Sequence, residues 1–79
     1  MRHIISPASI PASLRQLPTA AKRQIEDSLS NDEYSSDDEL VDFWSTSAGV
    51  PQDIGREAIK FRREFQMHPI CVMFPEIHQ

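Results

Sequence analysis

The chain has 79 residues, of which 39% are hydrophobic and 25% are charged, and its net charge is −4. This length predicts a single domain over residues 1–79, and the negative charge argues against non-specific attachment to nucleic acid or an anionic membrane. The single cysteine, Cys71, excludes an intramolecular disulfide. We see no secretory leader and no apolar run long enough to span a membrane, so we expect a cytoplasmic protein.

The first predicted elements are short and are separated by prolines. We expect residues 1–7 to form an extended N-terminal segment that ends at Pro7. A short helix or turn follows, with Pro11 in its first turn, and it ends before Pro18. Pro18 opens a longer helix over residues 19–30, where Ala21, Ile25 and Leu29 form a narrow apolar stripe.

A polar, acidic loop over residues 31–36 separates this helix from the next one. Ser36 and Glu39 form a capping box, in which each side chain bonds the backbone N–H of the other residue. Gly49 is well placed just after the end of this helix. Its apolar residues share one broad face, and they are Leu40, Val41, Phe43, Trp44 and Ala48.

Pro51 opens the last predicted helix, which runs to residue 67. The apolar residues Ile54, Ala58, Phe61 and Phe65 follow a 4-3-4 spacing, which is typical of an amphipathic helix. Gly55 lowers helix propensity, but it permits close packing against the preceding helix. Residues 70–74 predict a C-terminal strand, which we expect to pair with residues 2–6 or with another chain, a homodimer included.

These elements together predict a mainly α fold. Three to four short helices pack as a small single domain, with a short terminal β element. Trp44 is expected to be buried between the last two helices. The predicted core consists of Ile25, Leu29, Leu40, Phe43, Trp44, Ile54, Ala58, Phe61 and Phe65.

The acidic segment is the first candidate binding site. Eight of the twelve acidic residues lie between Glu26 and Asp42. Such a run fits a basic patch on a partner protein, although a solvated loop with ordinary helix capping is the commoner explanation. The predicted partner-binding residues are Asp32, Glu33, Tyr34, Asp37, Asp38 and Asp42.

The basic face of the last helix is the second candidate. Arg56, Lys60 and Arg63 share this face, and the helix follows a helix and a short turn, as in a helix-turn-helix DNA-binding protein. Acidic residues are interleaved with these cations, and the first turn of the would-be recognition helix carries no basic residue. Nucleic acid is therefore the less favoured partner.

Histidine and cysteine residues form the third candidate. His3, His68, Cys71 and His78 could supply four zinc ligands if the terminal strands pair. Their spacing matches no standard zinc motif, and a small buried thiol is the commoner explanation for Cys71. We therefore expect no metal and no cofactor, and leave open whether the four residues converge.

Catalytic motifs are not visible. No serine lies in a G-x-S-x-G turn, and two glycines cannot build a phosphate-binding loop. The sequence therefore predicts a non-enzymatic protein-binding module: a small regulator, adaptor or inhibitor of another protein, of the kind found among phage and plasmid accessory proteins. The alternative is a helix-turn-helix-like DNA-binding transcriptional regulator.

Overall fold

A computed structural model describes residues 2–68 and 70–78. Over these residues the fold is mainly α, with a short two-stranded sheet, as the sequence predicted. The elements are β1 (His3–Ile4), α1 (Ala12–Arg15), α2 (Thr19–Asn31), α3 (Asp37–Ala48), α4 (Gln52–Ile59), α5 (Arg62–Met67) and β2 (Cys71–Val72). No helix in this part of the chain has the length and apolar character that crossing a membrane requires.

Local signals set the ends of α3 as expected. The Ser36 hydroxyl accepts the Glu39 N–H at 3.1 Å, and the Glu39 carboxylate accepts the Ser36 N–H at 2.9 Å, so the predicted capping box is confirmed. At the other end Gly49 has φ 68°, a left-handed conformation that glycine adopts without steric cost. Both ends of this helix therefore follow from a few neighbouring residues.

The last predicted helix, by contrast, is divided into two helices, α4 and α5. The prediction of a single helix that runs to residue 67 was therefore wrong. The Phe61 N–H bonds the carbonyl of Ala58 at 3.0 Å, which is a tighter i→i+3 bond than the α-helical one. The chain then changes direction at Lys60 and Phe61. As a result α4 packs on α3, while α5 packs on α2.

Most of the residues that were predicted to form the core are buried, but three of them are not. Trp44 is fully buried, and its indole N–H donates to the Ser28 hydroxyl at 3.0 Å. Ile54 and Phe61 are only partly buried against the core. The predicted core residues that are buried are Ile25, Leu29, Leu40, Trp44, Ala58 and Phe65.

Phe43 is 47% exposed, so its prediction as a core residue was wrong. The buried residues of α3 are Leu40, Val41 and Trp44. At about 100° per residue, Phe43 lies roughly 110° from the centre of that stripe. A helix packed along this narrow stripe leaves the Phe43 ring on the surface.

Gly55 lies where α4 crosses α3, as predicted. A Cβ atom at this position would lie 3.1 Å from Cγ1 of Val41 and 3.6 Å from Cε3 of Trp44. The two helices can approach this closely because glycine has no side chain at their contact.

The predicted pairing of the two terminal segments is confirmed. β1 and β2 are parallel, with His3 opposite Cys71 and Ile4 opposite Val72. The Ile70 carbonyl accepts the His3 N–H at 2.8 Å, and the Val72 carbonyl accepts the Ile5 N–H at 2.9 Å. The strand is shorter than the predicted residues 70–74. Homodimerisation through this sheet stays a prediction.

Two buried charged residues of α2 hold the segment after β2. Both oxygens of the Glu26 carboxylate are used: one accepts the N–H groups of Met73 and Phe74 at 3.1 and 2.9 Å, and the other pairs with His78. Lys22, one turn earlier, donates to Glu76 at 3.0 Å and is also largely buried. The sequence placed Glu26 among the acids of the surface segment, but it belongs to the interior.

Candidate functional site

The acidic loop between α2 and α3 is tightly hydrogen-bonded. One carboxylate oxygen of Asp32 accepts the N–H groups of Tyr34 and Ser35 at 3.0 and 2.8 Å, and the other accepts the Ser35 hydroxyl at 2.7 Å. These bonds stabilise the charged carboxylate, those from Ser35 most of all, so the pKa of Asp32 is lowered from its ordinary value. The backbone on either side of Tyr34 is thus tied to the Asp32 side chain.

Arg62 fixes the same loop from the other side. Its guanidinium donates to the Asp37 carboxylate at 2.8 Å and to the Ser35 carbonyl at 2.6 Å, with a longer contact to the Asp32 carbonyl at 3.4 Å. The side chain is only 12% exposed. Sequence reasoning assigned Arg62 no role and missed this one, which depends on the break before α5.

The predicted partner-binding acids differ in how far their charge is already compensated. Asp37 pairs with Arg62, and Asp38 pairs with Arg56 at 2.9 Å. Glu33 and Asp42 are exposed and have no ion pair within residues 2–68 and 70–78. Among the predicted partner-binding acids, the exposed charges without an ion pair in the described residues are therefore Glu33 and Asp42 rather than those at the start of α3.

Two exposed aromatic rings lie on this side of the molecule. Tyr34 is 96% exposed and borders a shallow depression, and Phe43 borders a second one. The two depressions adjoin, because Asp27 and Ser28 of α2 line both. We call the combined region the aromatic–acidic surface, and it consists of Asp27, Ser28, Asp32, Tyr34 and Phe43.

Charge is unevenly distributed along the aromatic–acidic surface. Asp32 lies beside Tyr34, and Asp27 lies in the middle. The depression next to Phe43 also contains Arg23. Acidic side chains therefore line both depressions, and a cation is added next to Phe43.

The predicted basic face does not lie on one continuous helix. Arg56 belongs to α4 and Arg63 to α5, while Lys60 lies in the connection between them. Arg56 pairs with Asp38, and Lys60 pairs with Glu57 at 3.2 Å. The outline of helix, turn and helix over α3 and α4 is present, but much of the positive charge is matched locally by carboxylates.

The four residues that were considered as zinc ligands do not converge, and two of them meet a residue outside that set. His3 and His68 stack face to face, with ring centroids 3.7 Å apart and planes inclined by 10°. Both approach the carboxylate of Glu64. The signal that could have identified Glu64 is its i,i+4 spacing to His68, which places both on one helix face.

Cys71 and His78 lie outside this group. His78 pairs with Glu26. The Cys71 thiol is buried, and burial, with smaller contributions from the Glu64 and Glu26 carboxylates, raises its pKa to about 11. A thiol with so high a pKa is a poor nucleophile near neutral pH.

Comparisons with known proteins identify no relative of this chain. No protein-family model matches it, and neither the search of curated proteins nor that of solved structures found a match.

Proposed function

We propose that this chain is a non-enzymatic protein-binding module, a small regulator, adaptor or inhibitor, that acts in the cytoplasm. Its aromatic–acidic surface binds a basic segment of a partner protein. The observation that carries this proposal is the 96% exposure of Tyr34 on a loop whose backbone is hydrogen-bonded to the side chains of Asp32 and Arg62. A large ring on a fixed backbone binds with little loss of conformational entropy.

The chemistry of the surface supports a partner with both apolar and basic side chains. Tyr34 and Phe43 offer two separate aromatic contacts, and exposed aromatic rings dominate the binding energy of many interfaces. Asp27 lies between them, and Glu33 and Asp42 add negative charge close by in the sequence. Complementary charge of this kind accelerates association and selects the partner.

Selection from a random peptide library tests the proposal even while the natural partner is unidentified. The wild-type chain is the bait, and each recovered peptide is then titrated against the wild-type chain and the double variant Tyr34→Ala/Phe43→Ala. We expect the recovered peptides to contain Lys or Arg next to a bulky apolar residue. Their affinity should fall tenfold or more for the double variant, which corresponds to about 1.4 kcal/mol or more.

A matched charge control separates the proposed surface from the basic residues. Reversal of Asp27 to Lys should slow association, whereas reversal of Lys60 and Arg63 to Glu should leave peptide affinity unchanged. Asp37 and Asp38 are unsuitable for this test, because they pair with arginines of α5 and α4. Peptides without basic residues, or equal binding to the double variant, would contradict the proposal.

The same set of variants also tests the alternative that the protein binds DNA. A DNA-binding regulator would bind duplex DNA with an affinity that falls steeply as the salt concentration rises. Retention that disappears when Lys60 and Arg63 are reversed would favour the alternative over protein binding.

A further inference from the structure

His3, Glu64 and His68 form a compact group of potential metal ligands. One ligand atom from each residue lies within 4.8 Å of the other two. The Glu64 Oε2 atom is 3.0 Å from Nε2 of His3 and 3.8 Å from Nε2 of His68. All three side chains are between about a third and a half exposed, so an ion from solution can reach them.

We propose that this group binds a divalent cation of the zinc class. Two imidazole nitrogens and one carboxylate oxygen are a common zinc ligand set. Zinc bonds of about 2.0–2.2 Å in tetrahedral geometry place neighbouring ligand atoms about 3.3–3.6 Å apart. The observed 3.0 and 3.8 Å lie on either side of that range. The two imidazole rings are stacked nearly parallel, so at least one ring must rotate before the lone pairs of both nitrogens point at the same ion.

The fold brings the three ligands together before any ion binds. Glu64 lies on α5, and His68 ends that helix four residues later. His3 lies 61 residues from Glu64 in the sequence, and its backbone N–H bonds the Ile70 carbonyl next to β2. The approach of His3 to the other two therefore depends on the folded pairing of β1 with β2, so ion binding should favour the folded state.

The ligand set also indicates which ions bind. Imidazole suits zinc and cobalt(II), whereas magnesium and calcium prefer oxygen ligands alone. Three protein ligands leave a fourth tetrahedral position, which water fills in an exposed site. The buried Cys71 thiol is not part of the group.

Titration of the full chain with zinc chloride near neutral pH tests the proposal directly. We expect saturable uptake of one zinc ion per chain. His3→Gln, Glu64→Gln and His68→Gln should each weaken binding tenfold or more. His78→Gln is the matched control, because this histidine pairs with Glu26 outside the group, and it should leave the zinc affinity unchanged.

Two further measurements separate loss of a ligand from loss of the fold. The thermal midpoint of the wild-type chain should rise with zinc concentration, and that of a folded His68→Gln variant should not. Cobalt(II) should give the visible bands of a tetrahedral nitrogen and oxygen site. Absence of saturable one-to-one zinc uptake by the wild-type chain would overturn the proposal. So would unchanged affinity in the three ligand variants, or a thiolate-to-cobalt charge-transfer band from Cys71.

Discussion

Replacing Glu26 with alanine removes the acceptor of two buried backbone N–H groups, those of Met73 and Phe74. A hydrogen bond to a charged group contributes about 1.5–3 kcal/mol. Loss of both should therefore destabilise the fold by about 3–5 kcal/mol, after allowance for some relaxation. A 79-residue chain at about 0.05–0.15 kcal/mol per residue has a total unfolding free energy of about 4–12 kcal/mol. This one substitution should thus remove a large part of the stability.

Urea denaturation measures the effect, with the fluorescence of the buried Trp44 as the signal. Glu26→Gln should be milder than Glu26→Ala, because its amide oxygen can still accept both N–H groups. Glu33→Ala is the matched control at an exposed glutamate, and its midpoint should be close to that of the wild-type chain. Hydrogen exchange at the Met73 and Phe74 amides should accelerate in Glu26→Ala.

The order of the three variants decides whether the reasoning holds. If Glu26→Ala unfolds at the same urea concentration as Glu33→Ala, the buried acceptor does not stabilise the fold. If Glu26→Gln is as damaging as Glu26→Ala, the pairing with His78 matters rather than the two backbone bonds.

Three other perturbations follow from the described contacts. Gly55→Val should lower the unfolding free energy by about 1–3 kcal/mol, because even the Cβ atom of the new side chain would lie 3.1 Å from a Val41 methyl carbon. An unchanged urea midpoint would contradict the close contact between the two helices. Because the pKa of Cys71 is about 11, about one molecule in a thousand carries a thiolate at pH 8. A disulfide reagent should therefore label this residue slowly until urea unfolds the chain. Rapid labelling of the native protein would refute the burial of the thiol. The pKa of Asp32 is lower in the folded state, so its stabilisation is present above about pH 4 and is lost as the pH falls further. Acid titrations followed by Trp44 fluorescence should therefore be less steep for Asp32→Asn than for the wild-type chain, and identical profiles would exclude this contribution.

Elements defined by neighbouring residues could be predicted from the sequence. The capping box of Ser36 and Glu39, and Gly49 after α3, depend on residues a few positions apart, and the structure confirms them. The pairing of the terminal strands was also predicted, because an apolar C-terminal strand needs a partner. The two helix-end predictions required only a local pattern, whereas the strand pairing was one of two alternatives, the other being a second chain.

Features that depend on the path of the whole chain could not be predicted in the same way. Lys22 and Glu26 have the i,i+4 spacing of an ordinary surface pair, and only the return of residues 73–78 buries them. The break at Lys60 and Phe61 could not be predicted, because the spacing of the apolar residues fits one continuous helix equally well. The meeting of His3 with Glu64 and His68 requires the pairing of the terminal strands.

The parallel pairing of β1 with β2 also constrains the order of events during synthesis. His3 is made 68 residues before its partner Cys71, since 71 − 3 = 68. A contact of such high sequence separation closes late, because the intervening segment must first be ordered. A nascent chain that has not yet reached residue 70 can form α2 and α3, but it would expose the carboxylate of Glu26 and leave β1 without its strand partner. Truncation of the chain before β2 should therefore yield a helical but loosely packed product that proteases degrade faster than the full chain.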